Sequence, residues 1–284
     1  MSEDNRELDL DKDYKARGPV ARFFISGWNN IVRLMGANAL FIIFNIPAIV
    51  VSYLFSILFL PVLIPAFTTV TEADGSFVIA TDLILLLAVG FITFLLSGLL
   101  VCVGPFQAGF AQVYKDMRNG TSFSLFGSFK TGLKAGWKKS IAAMFIGMII
   151  SAILLLAVSF YMNMHTTVGT VIGAVFIVLL FAFILVQNFV YQLIVSTDLK
   201  LFKIYKNAVL FVLIRFIPCL GAGVIVFLFY YLIPFVLLMS ASYLTLGIFI
   251  FLYSFLVIAW VQYFLSYFAA GLIDKYVAVD NEAS

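Results

Sequence analysis

The chain has 284 residues, 64% of them hydrophobic and only 11% charged, with a formal net charge of +3. Soluble globular domains carry about 25% charged residues, so this balance excludes that class. Binding to nucleic acid is a poor explanation for the basic residues, because their placement relative to a membrane already accounts for them.

Taken in order, residues 1–17 read as a disordered, solvated tail, acidic at first and then basic. The first 33 residues lack a short apolar core followed by a small-residue cleavage site, so no cleavable signal peptide is expected. An amphipathic helix is expected near 20–33, where Phe24, Trp28, Ile31 and Met35 share one helical face. The first apolar run, 34–66, holds Pro47, Pro61 and Pro65. It reads as one kinked or tilted helix followed by an irregular outer stretch; two short spans would invert the charge pattern of everything downstream. The second run, 82–106, opens on Asp82, whose carboxylate fits a helix N-terminus.

A second amphipathic helix is expected near 122–139, with Phe123, Phe126, Phe129, Leu133 and Trp137 in a stripe flanked by Lys130, Lys134 and Lys138. The third run, 141–162, ends in the turn Asn163-Met-His-Thr-Thr167. The fourth, 168–195, begins with Gly169-Thr-Val-Ile-Gly173, a spacing that lets helices approach closely. A third amphipathic helix near 199–215 carries Phe202, Tyr205, Val209 and Val212 beside Lys203, Lys206 and Asn207. The fifth and sixth runs cover 216–239 and 245–270, and residues 276–284 form a second tail.

Crossing a bilayer takes about 20 largely apolar residues in a helix, and all six runs reach or approach that length. They are apolar on every face, which excludes the alternating strands of a membrane barrel. All 17 Lys and Arg residues fall before, between or after the runs on alternate connections. The connections near 67–81, 162–168 and 240–244 carry none. Cytoplasmic loops retain positive charge, so the expectation is an all-α, multi-pass protein with six spans in one domain, 18–275, and both termini cytoplasmic. The unit of amphipathic helix, span, outer turn and span repeats three times. Val186-Gln-Asn-Phe189 and Val261-Gln-Tyr-Phe264 end the fourth and sixth spans alike, with Gly104-Pro-Phe-Gln107 a looser counterpart.

The chemistry-bearing residues are few. No Asp, Glu, Lys, Arg or His lies mid-span, which argues against a proton- or ion-coupled carrier. His165 is the single histidine and sits in a turn without partners for metal binding or general-base work. Cys102 and Cys219 lie within apolar runs and read as small buried hydrophobes, not as a disulfide or metal framework. Gly127-Ser-Phe-Lys-Thr-Gly132 lacks the lysine and the preceding strand of a phosphate loop. No cofactor, no metal and no catalysis are expected. Two candidate sites remain. Phe126, Phe129, Lys130, Lys134, Trp137 and Lys138 form an inner belt suited to anionic lipid headgroups or to a partner's cytoplasmic face. Gln107, Gln187, Asn188 and Gln262 near the inner span ends form either a polar vestibule or interhelical hydrogen-bond glue, the latter being favoured.

Three blocks carry a family resemblance: Gly18-Pro-Val-Ala-Arg-Phe-Phe24 with Asn38-Ala-Leu-Phe and Asn45-Ile-Pro47; Gly104-Pro-Phe-Gln-Ala-Gly109; and Tyr114-Lys-Asp-Met-Arg118 with Gly127-Ser-Phe-Lys130. In them the chain resembles the YesL-type family of bacterial integral membrane proteins, over roughly 18–47 and 104–140. It departs from that pattern in a long outer loop and most of a second span between the blocks. The resemblance implies the bacterial cytoplasmic membrane and association with ATP-driven carbohydrate uptake systems. The expected function is a non-enzymatic accessory or scaffold to such transport. The alternative is an autonomous transporter or channel for a neutral solute or lipid.

Overall fold

The computed structural model describes residues 18–63, 104–120, 123–239 and 242–277, and among these every element is helical. The chain order is α1 (Pro19–Asn29), α2 (Ile31–Leu63), α3 (Gly104–Asn119), α4 (Leu125–Met162), α5 (Thr167–Ser196), α6 (Leu201–Ile214) and α7 (Phe216–Phe227). A π-helical segment, Leu228–Leu232, joins α7 to α8 (Ile233–Met239). A second, Tyr253–Val257, joins α9 (Tyr243–Leu252) to α10 (Ile258–Val277).

Among the described residues four helical stretches are long and apolar enough to cross a membrane: Leu125–Met162, Thr167–Ser196, Phe216–Leu237 and Tyr243–Lys275. A fifth is added if Pro19–Asn29 and Ile31–Ile46, bent by 75° at Asn30, count as one. The bend turns the expected 20–33 helix into α1 and the start of α2. Asn30 stabilises the corner by donating from Nδ2 to the Ser26 carbonyl at 2.9 Å, while Arg33 donates to Asn30 Oδ1 at 2.6 Å. The helix of the first run continues to Leu63. Most of the second run and the loop before it, with Asp82 and Cys102, lie outside the described residues.

The expected 122–139 helix is not a separate element. It is the beginning of the 38-residue α4, which continues without a break into the third run. At 1.5 Å per residue α4 is about 57 Å long, against about 30 Å of hydrocarbon, so its first turns extend past the apolar slab. Ser124 caps this helix by accepting from the Gly127 N–H. At the other end, a turn with His165 at φ 50° leads to Thr166, which caps α5 through Gly169 N–H at 3.0 Å.

The packed centre is a triangle. Helices α3, α5 and α10 each pack against the other two, and the buried residues concentrate on them. Phe110, Tyr114, Met117, Phe189, Leu193, Ala259, Tyr263 and Ala269 are among those almost wholly removed from solvent. An amphipathic segment packs beside each: α1 on α10, the beginning of α4 on α3, and α6 on α5. Small residues set the closest approaches. A Cβ at Gly132 of α4 would lie 2.5 Å from the Ala108 carbonyl oxygen of α3, and one at Gly136 would lie 2.7 Å from Ile194 of α5. The Gly169 and Gly173 pair does pack closely, against the C-terminal end of α4, where a Cβ on Gly169 would meet the Tyr161 carbonyl oxygen at 2.6 Å. Farther along α4, α5, α7 and α9, large apolar side chains such as Phe145, Ile153, Val171, Ile217 and Phe251 are exposed, as lipid-facing side chains are.

Candidate functional site

Three groups of side chains stand out, two anticipated from the sequence and one not. The first is the belt on α4. Its helix turns divide the expected stripe. Phe126, Lys130, Lys134 and Lys138, spaced four residues apart, line an exposed ridge with Trp137 beside them. Phe126 is 60% and Trp137 49% exposed, and the Lys138 ammonium sits 5.9 Å from the Trp137 ring. Phe129 does not belong to this ridge. It faces α3, is 2% exposed, stacks on Phe44 at 5.3 Å and meets Phe110 edge-on at 5.1 Å. Three residues from Phe126 is a rotation of about 300°, enough to place Phe129 on the packed side with Gly132 and Gly136. Phe129 therefore anchors the belt and is not accessible to a headgroup.

Charged groups at this end of the bundle also hold it together. Lys115 donates to the Val195 carbonyl at 3.1 Å, placing a cation at the C-terminus of α5 where helix carbonyls favour it. Arg118 pairs with Asp274 at 2.6 Å and lies over the Tyr267 ring. The Arg33 guanidinium lies 4.5 Å from the Phe123 ring centre, tying α2 to the residue just before α4.

The second group is the set of inner amides. Gln187 is buried and serves as a strut between α5, α4 and α6. Its Nε2 donates to Tyr205 Oη at 3.1 Å and to the Ala143 carbonyl at 3.4 Å, a carbonyl that Tyr205 Oη also reaches at 3.2 Å. Burial pushes the Tyr205 hydroxyl up to about 12, with the Gln187 hydrogen bond opposing, so the phenol stays protonated at neutral pH. Asn188 and Gln107 are half-buried. Gln262 is 3% exposed with neither amide atom partnered among the described residues, and Gln192 links α5 to α10 by donating to Ser266 Oγ at 2.5 Å. Gln187 thus bonds between helices, whereas both amide atoms of Gln262 lack a partner among the described residues.

The third group was not expected from the sequence, in which Asn38 enters only through the resemblance block Asn38-Ala-Leu-Phe. It is built around the two π segments. In a π turn the hydrogen bonds run i to i+5, which displaces carbonyls and amides from the helical ladder. The first π segment ends two residues before Pro234, which has no N–H for the Tyr230 carbonyl and whose ring crowds it. The second has no proline. Its stray groups are taken by Asn38 of α2, 0% exposed, which donates to the Tyr253 carbonyl at 2.9 Å and the Ser254 carbonyl at 2.6 Å. Asn38 Oδ1 in turn accepts from the Ala259 N–H at 2.8 Å. The two segments are also cross-linked. Tyr230 Oη donates to the Ile258 carbonyl at 3.2 Å, and Tyr253 Oη donates to the Phe229 carbonyl. Pro234 was the one sequence signal for this hub, since a proline inside an apolar run frees a carbonyl. Nothing in the sequence indicated which side chain would meet the second segment.

No family model, no curated protein and no solved structure matches the chain. What fold and site define, over the described residues, is an all-helical structure with four or five helices long and apolar enough to cross a membrane, consistent with a multi-pass membrane protein.

Proposed function

We propose that the chain is a six-span, non-enzymatic protein of the bacterial cytoplasmic membrane, resembling the YesL type, that serves a transport system as an accessory or scaffold. The ATP-driven carbohydrate uptake systems implied by the resemblance are the first partners to test. The observation that carries the reading is the ridge of Phe126, Lys130, Lys134, Trp137 and Lys138 on the first turns of α4. Its opposite side is fixed to α3 by Phe129 and Gly132, so the ridge is held rigidly. An apolar and cationic ridge at the end of a membrane bundle suits phosphate headgroups and acidic partner surfaces.

Six spans with both termini cytoplasmic place this ridge inside, because the basic residues then share one side. The threefold repeat has support in the cyclic packing of α1 on α10, the α4 beginning on α3 and α6 on α5. The test is the triple variant Lys130→Gln, Lys134→Gln, Lys138→Gln, compared with the unmodified chain for retention on anionic against zwitterionic bilayers and for co-purification from host membranes. Loss of anionic retention or of a co-purifying permease or ATPase subunit is expected. Unchanged behaviour in both assays overturns the reading.

One observation favours the transporter alternative. Gln262 of α10 presents a donor and an acceptor, both buried and neither partnered among the described residues. Solute flux in reconstituted vesicles that falls on Gln107→Leu, Gln187→Leu, Gln262→Leu would support that role. Vesicles no leakier than empty ones across a broad neutral-solute panel would exclude it.

A further inference from the structure

The two π segments occupy one level of the bundle. Tyr230 and Tyr253, one from each, bond across to the other's backbone, and Asn38 joins that level to α2. Tyr230, Tyr253, Ile258 and Asn38 are all buried. Beyond them lies a short hairpin, α8 and α9. Among the described residues its helices pack chiefly on each other and on the π segments that lead into them. Phe235, Val236, Leu244 and Phe251 of this hairpin are at least half exposed. On the other side of the π level, α10 is locked into the central triangle.

We propose that α8 and α9 form a hinged hairpin, that the two π segments are its hinges, and that Asn38 is the latch that fixes their register. A π segment holds one residue more per turn than the α-helix around it. Rewinding it to α shifts everything beyond by about 1.5 Å and turns it by about 100°. The second segment can rewind only if its ladder regains the Tyr253 and Ser254 carbonyls and the Ala259 N–H. Those are the three groups that Asn38 holds. One amide thereby sets the balance between two registers of the sixth apolar run. The paired tyrosines couple the second hinge to the first, so the hairpin moves as a unit. Irregular backbone at membrane depth needs protein or water partners for its polar groups, and here the partner is a side chain from a third helix that can be withdrawn. The inference is independent of the accessory reading. A moving outer hairpin also supplies what an alternating path needs.

The test uses the full chain in lipid nanodiscs with two readouts. Amide hydrogen exchange is compared for the unmodified protein, Asn38→Leu, and the double variant Tyr230→Phe, Tyr253→Phe, which keeps every ring and removes only the hydroxyl bonds. Exchange over 229–259 is expected to rise at least tenfold in Asn38→Leu and by a smaller factor in the tyrosine variant. Peptides covering 108–117 and 185–194 should stay unchanged. Spin-label distances between Leu244→Cys and Leu213→Cys, with Cys102→Ala and Cys219→Ala, should then reveal a second population displaced by several ångströms in Asn38→Leu. If Asn38→Leu does not fold, the tyrosine variant carries both measurements. A rise in exchange spread evenly over the bundle makes Asn38 a purely structural residue and overturns the proposal. So does an unchanged single distance population.

Discussion

Replacing Gly132 by alanine opposes two physical effects within one helix. Alanine is favoured over glycine in a helix interior by about 1 kcal/mol, so local propensity alone predicts a more stable protein. Yet the new Cβ would lie 2.5 Å from both the Ala108 carbonyl oxygen and Gln112 Cβ, roughly 1 Å inside ordinary contact. Two of those atoms belong to or adjoin the α3 backbone, which no rotamer change can move. Overpacking of this kind costs about 1–3 kcal/mol. Because the offending atom is backbone, the upper half of that range applies, leaving Gly132→Ala destabilised by ~1–2 kcal/mol. Gly271→Ala in α10 is the control. A Cβ there meets nothing within 4 Å, so only propensity acts and stability should rise by ~0.5–1 kcal/mol. Reversible SDS unfolding in mixed micelles, followed by tryptophan fluorescence and circular dichroism, measures both. If Gly132→Ala is as stable as Gly271→Ala, α3 and α4 do not cross at this point and the close packing of α4's first turns on α3 is wrong.

Three further outcomes follow from the hydrogen bonds and charges. Tyr205→Phe and Gln187→Leu should each cost about 0.6–2 kcal/mol, and a double-mutant cycle should show them coupled, because they share one junction with the Ala143 carbonyl. The folded state favours the protonated Tyr205 phenol, whose pKa is raised to about 12 from 10. Its contribution should hold below pH 10 and fade as pH rises from 10 towards 12, a loss that Tyr205→Phe removes in alkaline unfolding curves. Arg118→Gln should change stability by less than about 1 kcal/mol in the same assay, because Asp274 is 63% exposed and water screens the pair. A larger loss would mean that the Tyr267 stacking contact dominates.

The sequence by itself determined the helical class and most of the element positions. Runs of apolar residues with no alternation can bury their backbone polar groups in lipid only as helices. The fourth run, 168–195, accordingly coincides with α5, and the fifth, 216–239, with α7, the first π segment and α8. The amphipathic stretch near 199–215 likewise appears as α6. Periodicity also identified the belt's ridge, since residues four apart share a helical face whatever lies opposite. It could not say which of two aromatic faces meets a neighbour, and so it grouped Phe129 with Phe126. It also divided α4's first turns from its span, which the structure joins in one helix, Leu125–Met162. Polar and apolar residues are equally content in a continuous helix, so only packing against α3 fixed one unbroken rod. The amides behaved in the same way. Composition identified Gln187 and Gln262 as polar groups among apolar neighbours, but that Gln187 meets Tyr205, and Gln262 no partner among the described residues, is set by how the helices pack. The π segments are the extreme case. Pro234 signals the first locally. The second depends on Asn38, 215 residues away from the carbonyl it meets, and only tertiary structure brings such a pair together.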